Sequence, residues 1–304
     1  MAIGLLYFKT MKRDAHHRLI SRTIKDLASR ACLSLPKDSA SFREAALRRV
    51  KPMDYLRCAE FPLALDQLSL KPGMRLLDVA SPQWFSLALA SRNPAMEFVY
   101  INILEEELDQ IRGTAKQLGL SNIQYRLMDC RKLDYPARSF DRVVSLSTLE
   151  HISPAVGGDV LALHEIHRVL KEGGEFVLSV PFKEKAGLVY DDIHAVWEKP
   201  AQKDNFYMRN YSRDQLEKLA LDTHFSILRS TPMYERPGLF AMEYWEGAGR
   251  THPKKDGIMR LKKKLDKLTG RRLENFLSLY YIKLGEEVAA KDRLMNVVAL
   301  FAKK

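Results

Sequence analysis

The sequence predicts an α/β fold built on a doubly wound, mostly parallel sheet. From Met74 onward, short apolar runs alternate with stretches of helical periodicity, and this alternation is typical of a parallel sheet covered by helices on both faces. The first apolar run, 75–79, is followed by a sharp turn and a helix start, which is the arrangement of a nucleotide-binding turn. The hydrophobic fraction of 46% is enough for a large core. These three observations agree on the fold class.

Seven segments are predicted to be strands because each is short, apolar and bounded by turn residues. They cover residues 75–79, 98–102, 123–128, 142–146, 175–180, 225–230 and 294–302. Helices are predicted between them, for example over 86–92 and 158–170. The order strand, helix, strand therefore repeats through the middle of the chain.

Helices are also predicted on both sides of this region. Apolar residues recur at helical spacing among Lys and Arg over 10–33, and a second helix is predicted over 42–68, before the turn residues Lys71-Pro-Gly73. Between the last two strands, Leu261 and Leu265 share a helical face beside several lysines. These stretches indicate helical additions to the sheet.

The expected domain organisation has three parts. Residues 1–70 form a basic, helical N-terminal extension, and residues 71–234 together with 291–304 form the sheet domain. Residues 235–290 form a basic, helical insertion before the last strand. This division follows the change from helical periodicity to strand and helix alternation.

The formal net charge of +11 is concentrated in the two ends of the sequence. Residues 1–60 carry 13 Lys and Arg against 6 Asp and Glu, residues 250–304 carry 15 against 6, and the middle carries 21 against 26. Basic helices of this kind contact an anionic membrane, position a protein on an acidic substrate, or only solvate a surface. The central domain is therefore not expected to bind polyanions by itself.

Cysteine usage and hydropathy predict a cytoplasmic protein. Cys32, Cys58 and Cys130 are odd in number and form no Cys-x-x-Cys pair, so neither a disulfide framework nor a thiolate zinc site is indicated. No apolar run approaches the roughly 18 residues that span a bilayer, and residues 1–8 are followed by charges rather than by a signal-peptide cleavage pattern. Peripheral membrane contact through the basic ends remains an alternative.

The turn after the first strand contains no glycine. Asp78 is followed by Ala80, Ser81 and Pro82, whereas nucleotide-binding turns normally carry glycines so that backbone N–H groups approach the ligand closely. Ser81 suits a helix N-cap, and Pro82 suits the first helical position. The sequence therefore predicts a stiffer turn, in which Ala80 is small enough to leave room for a ligand.

Five ordered motifs make the chain resemble the class I S-adenosylmethionine-dependent methyltransferases, near their type 11 group. The motifs are Leu76-Leu-Asp78-Val, Phe98-Val-Tyr-Ile-Asn102, segment 122–130 with Asp129-Cys130, segment 133–151 ending in Glu150-His151, and segment 165–181 with Gly173-Gly174. The resemblance runs from about Met74 to Leu228, and the last predicted strand also matches the family's pattern. It implies a Rossmann-like, seven-stranded sheet with an antiparallel last strand, and S-adenosylmethionine as the cofactor.

The same resemblance implies cofactor contacts at the ends of the strands. Asp78 is expected to accept hydrogen bonds from the cofactor's ammonium group, and Asp129 from its adenine amino group. Asn102 stands where the family usually has an acid that binds the ribose, so its contact is expected to be weaker, and an Asx turn is an equal alternative. The expected cofactor-binding residues are Asp78, Ala80, Ser81, Asn102, Ile103, Asp129, Cys130, Ser145 and Ser147.

Two histidines are the candidates for general-base catalysis. His151 follows the fourth strand, which in this family borders the transferable methyl group, although Glu150-His151 also suits a helix start. His194 has Asp191 or Asp192 beside it to orient its ring, although a surface histidine beside acids is the simpler interpretation. His164 and His167 share a helix face but lack an evident third ligand, so no metal site is predicted.

The sequence therefore predicts a methyltransferase that acts by in-line displacement on a small-molecule or lipid-like acceptor. Aromatic residues after the fifth strand, among them Tyr190, Trp197 and Phe206, suit a flat or apolar acceptor. An RNA methyltransferase is an alternative that the pI near 9.4 favours, but no recognisable RNA-binding module is appended. A non-catalytic relative is the other alternative, because the turn lacks glycines and Asn102 lacks a charge.

Overall fold

The computed structural model describes residues 2–191, 205–239, 260–262, 264–265, 267–269, 273–285, 289 and 291–303. Chain packing divides the protein into two compact units. The flanking unit consists of residues 1–66 and 231–296, and the core unit consists of residues 67–230 and 297–304. The expected division into extension, sheet domain and insertion stays a prediction.

The main sheet has eight strands in the order β3-β2-β1-β4-β5-β10-β8-β9. The strands are β1 (Arg75–Val79), β2 (Glu97–Asn102), β3 (Ile123–Leu127), β4 (Phe140–Leu146), β5 (Leu170–Pro181), β8 (Phe225–Glu235), β9 (Ile282–Leu284) and β10 (Arg293–Lys303). Strands β1 to β5 pair in parallel, whereas β8 and β9 pair antiparallel. The strand order reverses at β1, between β2 and β4, so the carboxyl end of β1 is the expected ligand-binding edge.

The predicted α/β class with a mostly parallel sheet is confirmed, and all seven predicted strands are present. The sheet has one strand more than predicted because β9 is only three residues long and carries no periodic signal. A second, two-stranded antiparallel sheet was also not predicted; it pairs β6 (Gly187–Asp191) with β7 (Asn205–Asn210).

Within the described residues, eight α-helices are complete from their first to their last residue. They are α1 (Ala2–Ser34), α2 (Ala40–Val50), α3 (Arg57–Gln67), α4 (Gln83–Arg92), α5 (Glu105–Leu118), α6 (Gly158–Val169), α7 (Arg213–Asp222) and α8 (Leu273–Tyr281). The single helix predicted over 42–68 is wrong, because the chain leaves the helix at Lys51-Pro52 and proline disfavours helical backbone in the residue before it. None of the described helices is both long and apolar enough to cross a bilayer.

The core of the sheet is apolar on both faces, as a parallel sheet requires. Leu76 and Leu77 point to opposite faces of β1 and both are fully buried. Phe176 of β5, Phe225 of β8 and Phe301 of β10 form one aromatic cluster, with ring centroids 5.7 to 6.1 Å apart. This cluster packs together three neighbouring strands of the second half of the sheet.

The turn between β1 and α4 has a left-handed residue at Ala80, whose φ is 50°. Its N–H donates to the carbonyl of Ile101 at 3.0 Å, which keeps the turn against β2. The prediction of Ser81 as the helix N-cap is wrong: the cap position is Pro82, without a side-chain hydrogen bond. Ser81 Oγ accepts instead from the N–H of Leu146 at 3.1 Å, so this hydroxyl ties the turn to β4.

Replacing Ala80 with glycine is expected to stabilise the protein by about 0.5 to 1 kcal/mol, because a side chain at positive φ costs energy that glycine does not pay. The same change in a helix, Ala115→Gly, is expected to cost about 1 kcal/mol or more. Urea unfolding of both variants tests the pair. Equal destabilisation by the two substitutions would contradict the left-handed backbone at Ala80.

Candidate functional site

Asp78 is a buried carboxylate at the carboxyl end of β1, with 2% of its surface exposed. It accepts hydrogen bonds from the N–H of Ser81 at 2.9 Å and from the hydroxyl of Ser86 at 2.5 Å. Burial raises the pKa of Asp78 to about 6, and the bonds from Ser86 and Ser81 oppose that rise. The carboxylate therefore closes the turn and joins it to the first turns of α4.

The backbone of this turn is held from two neighbouring strands. The hydroxyl of Tyr100, on β2, donates to the carbonyl of Ser81 at 3.0 Å. The hydroxyl of Thr148, just after β4, donates to the carbonyl of Ala80 at 2.9 Å. The predicted site residues Asp78, Ala80 and Ser81 therefore lie together, in a turn whose polar groups are largely satisfied by the protein.

Asn102 closes a turn at the end of β2. Its Oδ1 accepts from the N–H of Leu104 at 3.0 Å, and its Nδ2 donates to Glu107 Oε2 at 2.8 Å. The first bond is an Asx turn, which is one of the two interpretations given by the sequence. Ile103 lies in this turn with 40% of its surface exposed. The acid in contact with Asn102 is therefore Glu107 of α5.

Asp129 follows β3 and is paired with Arg131. Nε and Nη2 of Arg131 donate to Asp129 Oδ2 at 2.9 and 2.5 Å, and Nη1 donates to the carbonyl of Ser153 at 2.7 Å. Although burial opposes the change, these contacts hold the pKa of Asp129 below its usual value. Cys130 is buried, and this burial raises the pKa of its thiol to about 12. The thiol is therefore not a nucleophile at neutral pH.

Ser145 and Ser147 lie at the carboxyl end of β4. Ser145 is buried and its hydroxyl donates to the carbonyl of Val79 at 3.2 Å. Ser147 has a φ of 52°, and its N–H donates to Ser179 of β5. The two serines thus connect β4 to β1 and β5, at the same edge of the sheet as Asp78.

Glu150 and His151 lie in a short 3₁₀ helix (Leu149–His151) after β4. His151 Nδ1 is 2.7 Å from the carbonyl oxygen of Tyr207, and the two rings are 5.2 Å apart. Because a carbonyl only accepts, Nδ1 carries the hydrogen and the lone pair of the neutral ring is on Nε2. Nε2 is 3.8 Å from Glu150 Oε1, and Glu150 is 1% exposed. This arrangement is that of an oriented base beside a buried carboxylate.

Arg209, on β7, holds the chain segment that carries Glu150 and His151. Its side chain is almost completely buried, and its guanidinium donates to several carbonyls of this segment, hereafter the 149–155 loop. The accepting carbonyls are those of Leu149, Glu150, Ile152, Pro154 and Ala155. Arg209 Nε also lies 3.6 Å from Asp159 Oδ2, which accepts the hydroxyl hydrogen of Tyr211 at 2.9 Å.

Two sequence expectations lie elsewhere in the chain. His194, together with Asp192, falls outside the described residues, so its catalytic role stays a prediction. His164 and His167 are on α6, and the His224 ring lies 6.3 and 6.0 Å from theirs. Within the described ranges, no group of three or more side chains has the arrangement needed to hold a metal ion.

Sequence reasoning missed three residues of this site. Ser86 is eight positions after Asp78, and only the path of the turn brings its hydroxyl to the carboxylate. Thr148 follows Ser145 and Ser147, and nothing in the sequence distinguishes its hydroxyl as the one that binds the carbonyl of Ala80. Arg209 belongs to an unpredicted sheet and is distant in sequence from the 149–155 loop; a single arginine within an otherwise apolar and aromatic run, Phe206-Tyr-Met-Arg209, was the available signal.

Comparison with known proteins identifies the central part of the chain. Residues 77–178 match the family model described as a methyltransferase domain. The chain is 28% identical to phosphatidylethanolamine N-methyltransferase of Cereibacter sphaeroides over 162 residues, 53% of this chain and 74% of that protein. It is 30% identical to cyclopropane-fatty-acyl-phospholipid synthase of Escherichia coli (strain K12) over 134 residues, 44% of this chain and 33% of the synthase.

A solved structure shares the fold. The [4+2]-cyclase SpnF aligns with a TM-score of 0.52 and 20% sequence identity, over 83% of each chain. At this identity the likeness concerns the fold, and the cyclase activity in its name belongs to that protein alone.

The turn after β1 offers groups that fit the amino-acid end of S-adenosylmethionine. α4 begins without a side-chain cap, so its first N–H groups favour a carboxylate. The Trp84 indole N–H, in the first turn of α4, is buried without a hydrogen-bond partner among the described residues, and Asp78 suits an ammonium group. The motif series, the sheet order and the match over residues 77–178 therefore agree on a methyltransferase domain in this part of the chain, with S-adenosylmethionine as its cofactor.

Proposed function

We propose that the protein transfers a methyl group to a lipid-like acceptor, and that His151 acts as the general base. The observation that carries this proposal is the oriented imidazole of His151 beside the buried Glu150, after β4 at the edge of the sheet where the strand order predicts a ligand. Two relatives, whose names describe enzymes that modify phospholipids, support the class of acceptor. An amine headgroup is the first acceptor to test, because an ammonium must lose a proton before it attacks.

The protein's residues have separate tasks in this reaction. The cofactor supplies an electrophilic methyl group on a sulfonium. Asp78 and the first turn of α4 hold the amino-acid end, and Asp129 is proposed to contact the adenine. The site aligns the acceptor for in-line attack and excludes water. A carbon–nitrogen bond forms as the carbon–sulfur bond breaks, and the acceptor's proton goes to Nε2 of His151.

Glu150 and Tyr207 prepare His151 for this task. The carbonyl of Tyr207 fixes the ring orientation and the tautomer, so that Nε2 is the basic atom. Proton uptake makes the ring cationic, and the Glu150 carboxylate favours that cation. The carbonyl of Tyr207 therefore orients the base, and Glu150 stabilises its protonated form.

His151→Gln tests the proposed base. We expect transfer of labelled methyl from S-adenosylmethionine to phosphatidylethanolamine vesicles to fall by about a hundredfold, the range for loss of a general base. Cofactor affinity measured by calorimetry should change less than twofold. His164→Gln, on the exposed side of α6, is the matched control. Full activity of His151→Gln would refute the role of the base, and transfer to RNA but to no lipid would refute the acceptor class.

Asp78 predicts a pH dependence of stability. Its folded-state pKa of about 6 lies above the ordinary 3.8, so the folded protein binds this proton more tightly than the unfolded chain does. The free energy of unfolding should therefore fall as the pH rises from about 4 to about 6. Asp78→Asn should abolish this fall in the free energy of unfolding. The fall amounts to about 3 kcal/mol, because the pKa of Asp78 differs by roughly two units between the folded and unfolded states. Urea unfolding between pH 4 and 7 measures it.

Asp141→Asn is the control for this experiment, since its effect has the opposite sign. The hydrogen bond from Lys171 and the N–H of Arg75 lower the pKa of Asp141 although burial opposes the change, so its contribution is present at neutral pH and is lost as the pH falls. Relative to the wild type, Asp78→Asn should therefore become more stable and Asp141→Asn less stable as the pH rises toward neutral, and both differences should shrink as the pH falls. The same trend in both variants would contradict the ionisation behaviour of Asp78.

Arg209→Lys tests whether the hydrogen bonds from Arg209 to the 149–155 loop position His151. A lysine keeps the charge but cannot reach the five carbonyls, so we expect the turnover number to fall about tenfold or more while cofactor affinity stays within twofold. The pH profile of turnover should broaden or shift, because the position of His151 is no longer fixed. Arg213→Lys, an exposed arginine on α7, is the control. An equal loss of cofactor binding would indicate general unfolding instead.

A further inference from the structure

The whole net charge of the protein belongs to the flanking unit. Its residues, 1–66 and 231–296, contain 27 Lys and Arg against 16 Asp and Glu, a formal charge of +11. The core unit contains 22 of each and is neutral. The two compact units therefore also differ in charge. A net charge of this size favours an anionic partner for the flanking unit and not for the core unit.

Helix α8 of the flanking unit has one buried side and one exposed apolar side. Leu277 and Ser278 are buried, and Asn275 Oδ1 accepts from the thiol of Cys58 at 3.0 Å, so this side packs within the unit. On the other side, Phe276 is 67% exposed and Tyr280 is 57% exposed. Leu279, at 46%, completes an exposed face at spacings of three and four residues. A face of this composition is typical of a surface that is covered by a partner.

The helical residues that precede α8 have a similar surface. Leu261 is 47% exposed and Leu268 is 81% exposed, with the exposed Lys264 and Lys267 between them. The ring of Tyr280, on α8, also lies close to a cation: its centroid is 5.7 Å from the guanidinium of Arg236. Aliphatic and aromatic side chains therefore alternate with cations at the surface of this unit, as they do in helices that lie at a membrane interface.

We propose that these residues form a docking surface for an anionic lipid bilayer. The α8 surface, as we define it, comprises Leu261, Lys264, Lys267, Leu268, Phe276, Leu279 and Tyr280. The apolar side chains insert at the headgroup boundary while the cations bind lipid phosphates. A second copy of the chain fits less well, because two units of +11 repel each other. Nucleic acid would match the lysines but leave the exposed leucines in water.

Vesicle flotation tests the proposal. We expect the wild type to bind vesicles of phosphatidylcholine with 30% phosphatidylglycerol at 50 mM salt, and to bind pure phosphatidylcholine about tenfold more weakly. Phe276→Ser with Leu279→Ser should lower binding to the anionic vesicles about tenfold. Lys264→Glu with Lys267→Glu should lower it at least as much. These side chains are exposed, so the variants should keep the melting temperature of the wild type.

Matched controls come from the core unit. Leu127→Ser removes an apolar side chain that is 56% exposed on β3, and Lys116→Glu with Lys185→Glu makes the same charge change at exposed sites. Both should bind vesicles within twofold of the wild type. Equal losses in controls and test variants would overturn the proposal. So would tighter binding to single-stranded RNA than to vesicles, or vesicle binding that is unaffected by the serine substitutions.

The docking surface does not rest on the proposed acceptor. Flotation is measured without cofactor, and it succeeds or fails whether or not lipid is methylated. Conversely, the α8 surface variants should retain cofactor affinity within twofold, because Asp78 and α4 belong to the other unit. Loss of cofactor binding in these variants would refute the assignment of separate tasks to the two units.

Discussion

The site depends on one buried carboxylate. Asp78 must satisfy its oxygens inside the protein, because an ionised carboxylate without partners is too costly to bury. It does so with the N–H of Ser81 and the hydroxyl of Ser86, and these bonds define the turn between β1 and α4. Carbonyls of this turn also accept hydrogen bonds from the hydroxyl of Tyr100 on β2 and from the hydroxyl of Thr148 after β4. The group that closes the turn is therefore also the one that we propose to hold the ammonium group of the cofactor.

The sheet could be predicted from sequence, because its strands are buried on both faces and read as short apolar runs. The turn could be predicted in type, since Asp78 marks the strand end, but its bonds could not. Ser81 and Ser86 carry the same hydroxyl, but Ser81 also accepts from the N–H of Leu146, and this second contact follows from the path of the turn through the left-handed Ala80. Local patterns do not contain that contact.

The candidate base shows the same limit. His151 was identified by its place after the fourth strand, yet its tautomer depends on the carbonyl of Tyr207, which is 56 residues away. Arg209, two residues further along β7, organises the 149–155 loop through carbonyl oxygens that carry no side-chain signature. Contacts made by backbone atoms leave no trace in composition or periodicity, so the partners of His151 and Arg209 can be found only in the folded protein.

The division into two units has a consequence for biosynthesis. Each unit is assembled from two distant stretches of chain, and β10, which lies between β5 and β8, includes residues 297–303. The central strands of the second half of the sheet therefore cannot pair until those residues have left the ribosome. Such long-range pairing is slow and leaves strand edges open in the meantime. Until residues 297–303 are available, the facing edges of β5 and β8 are unpaired and open to other chains.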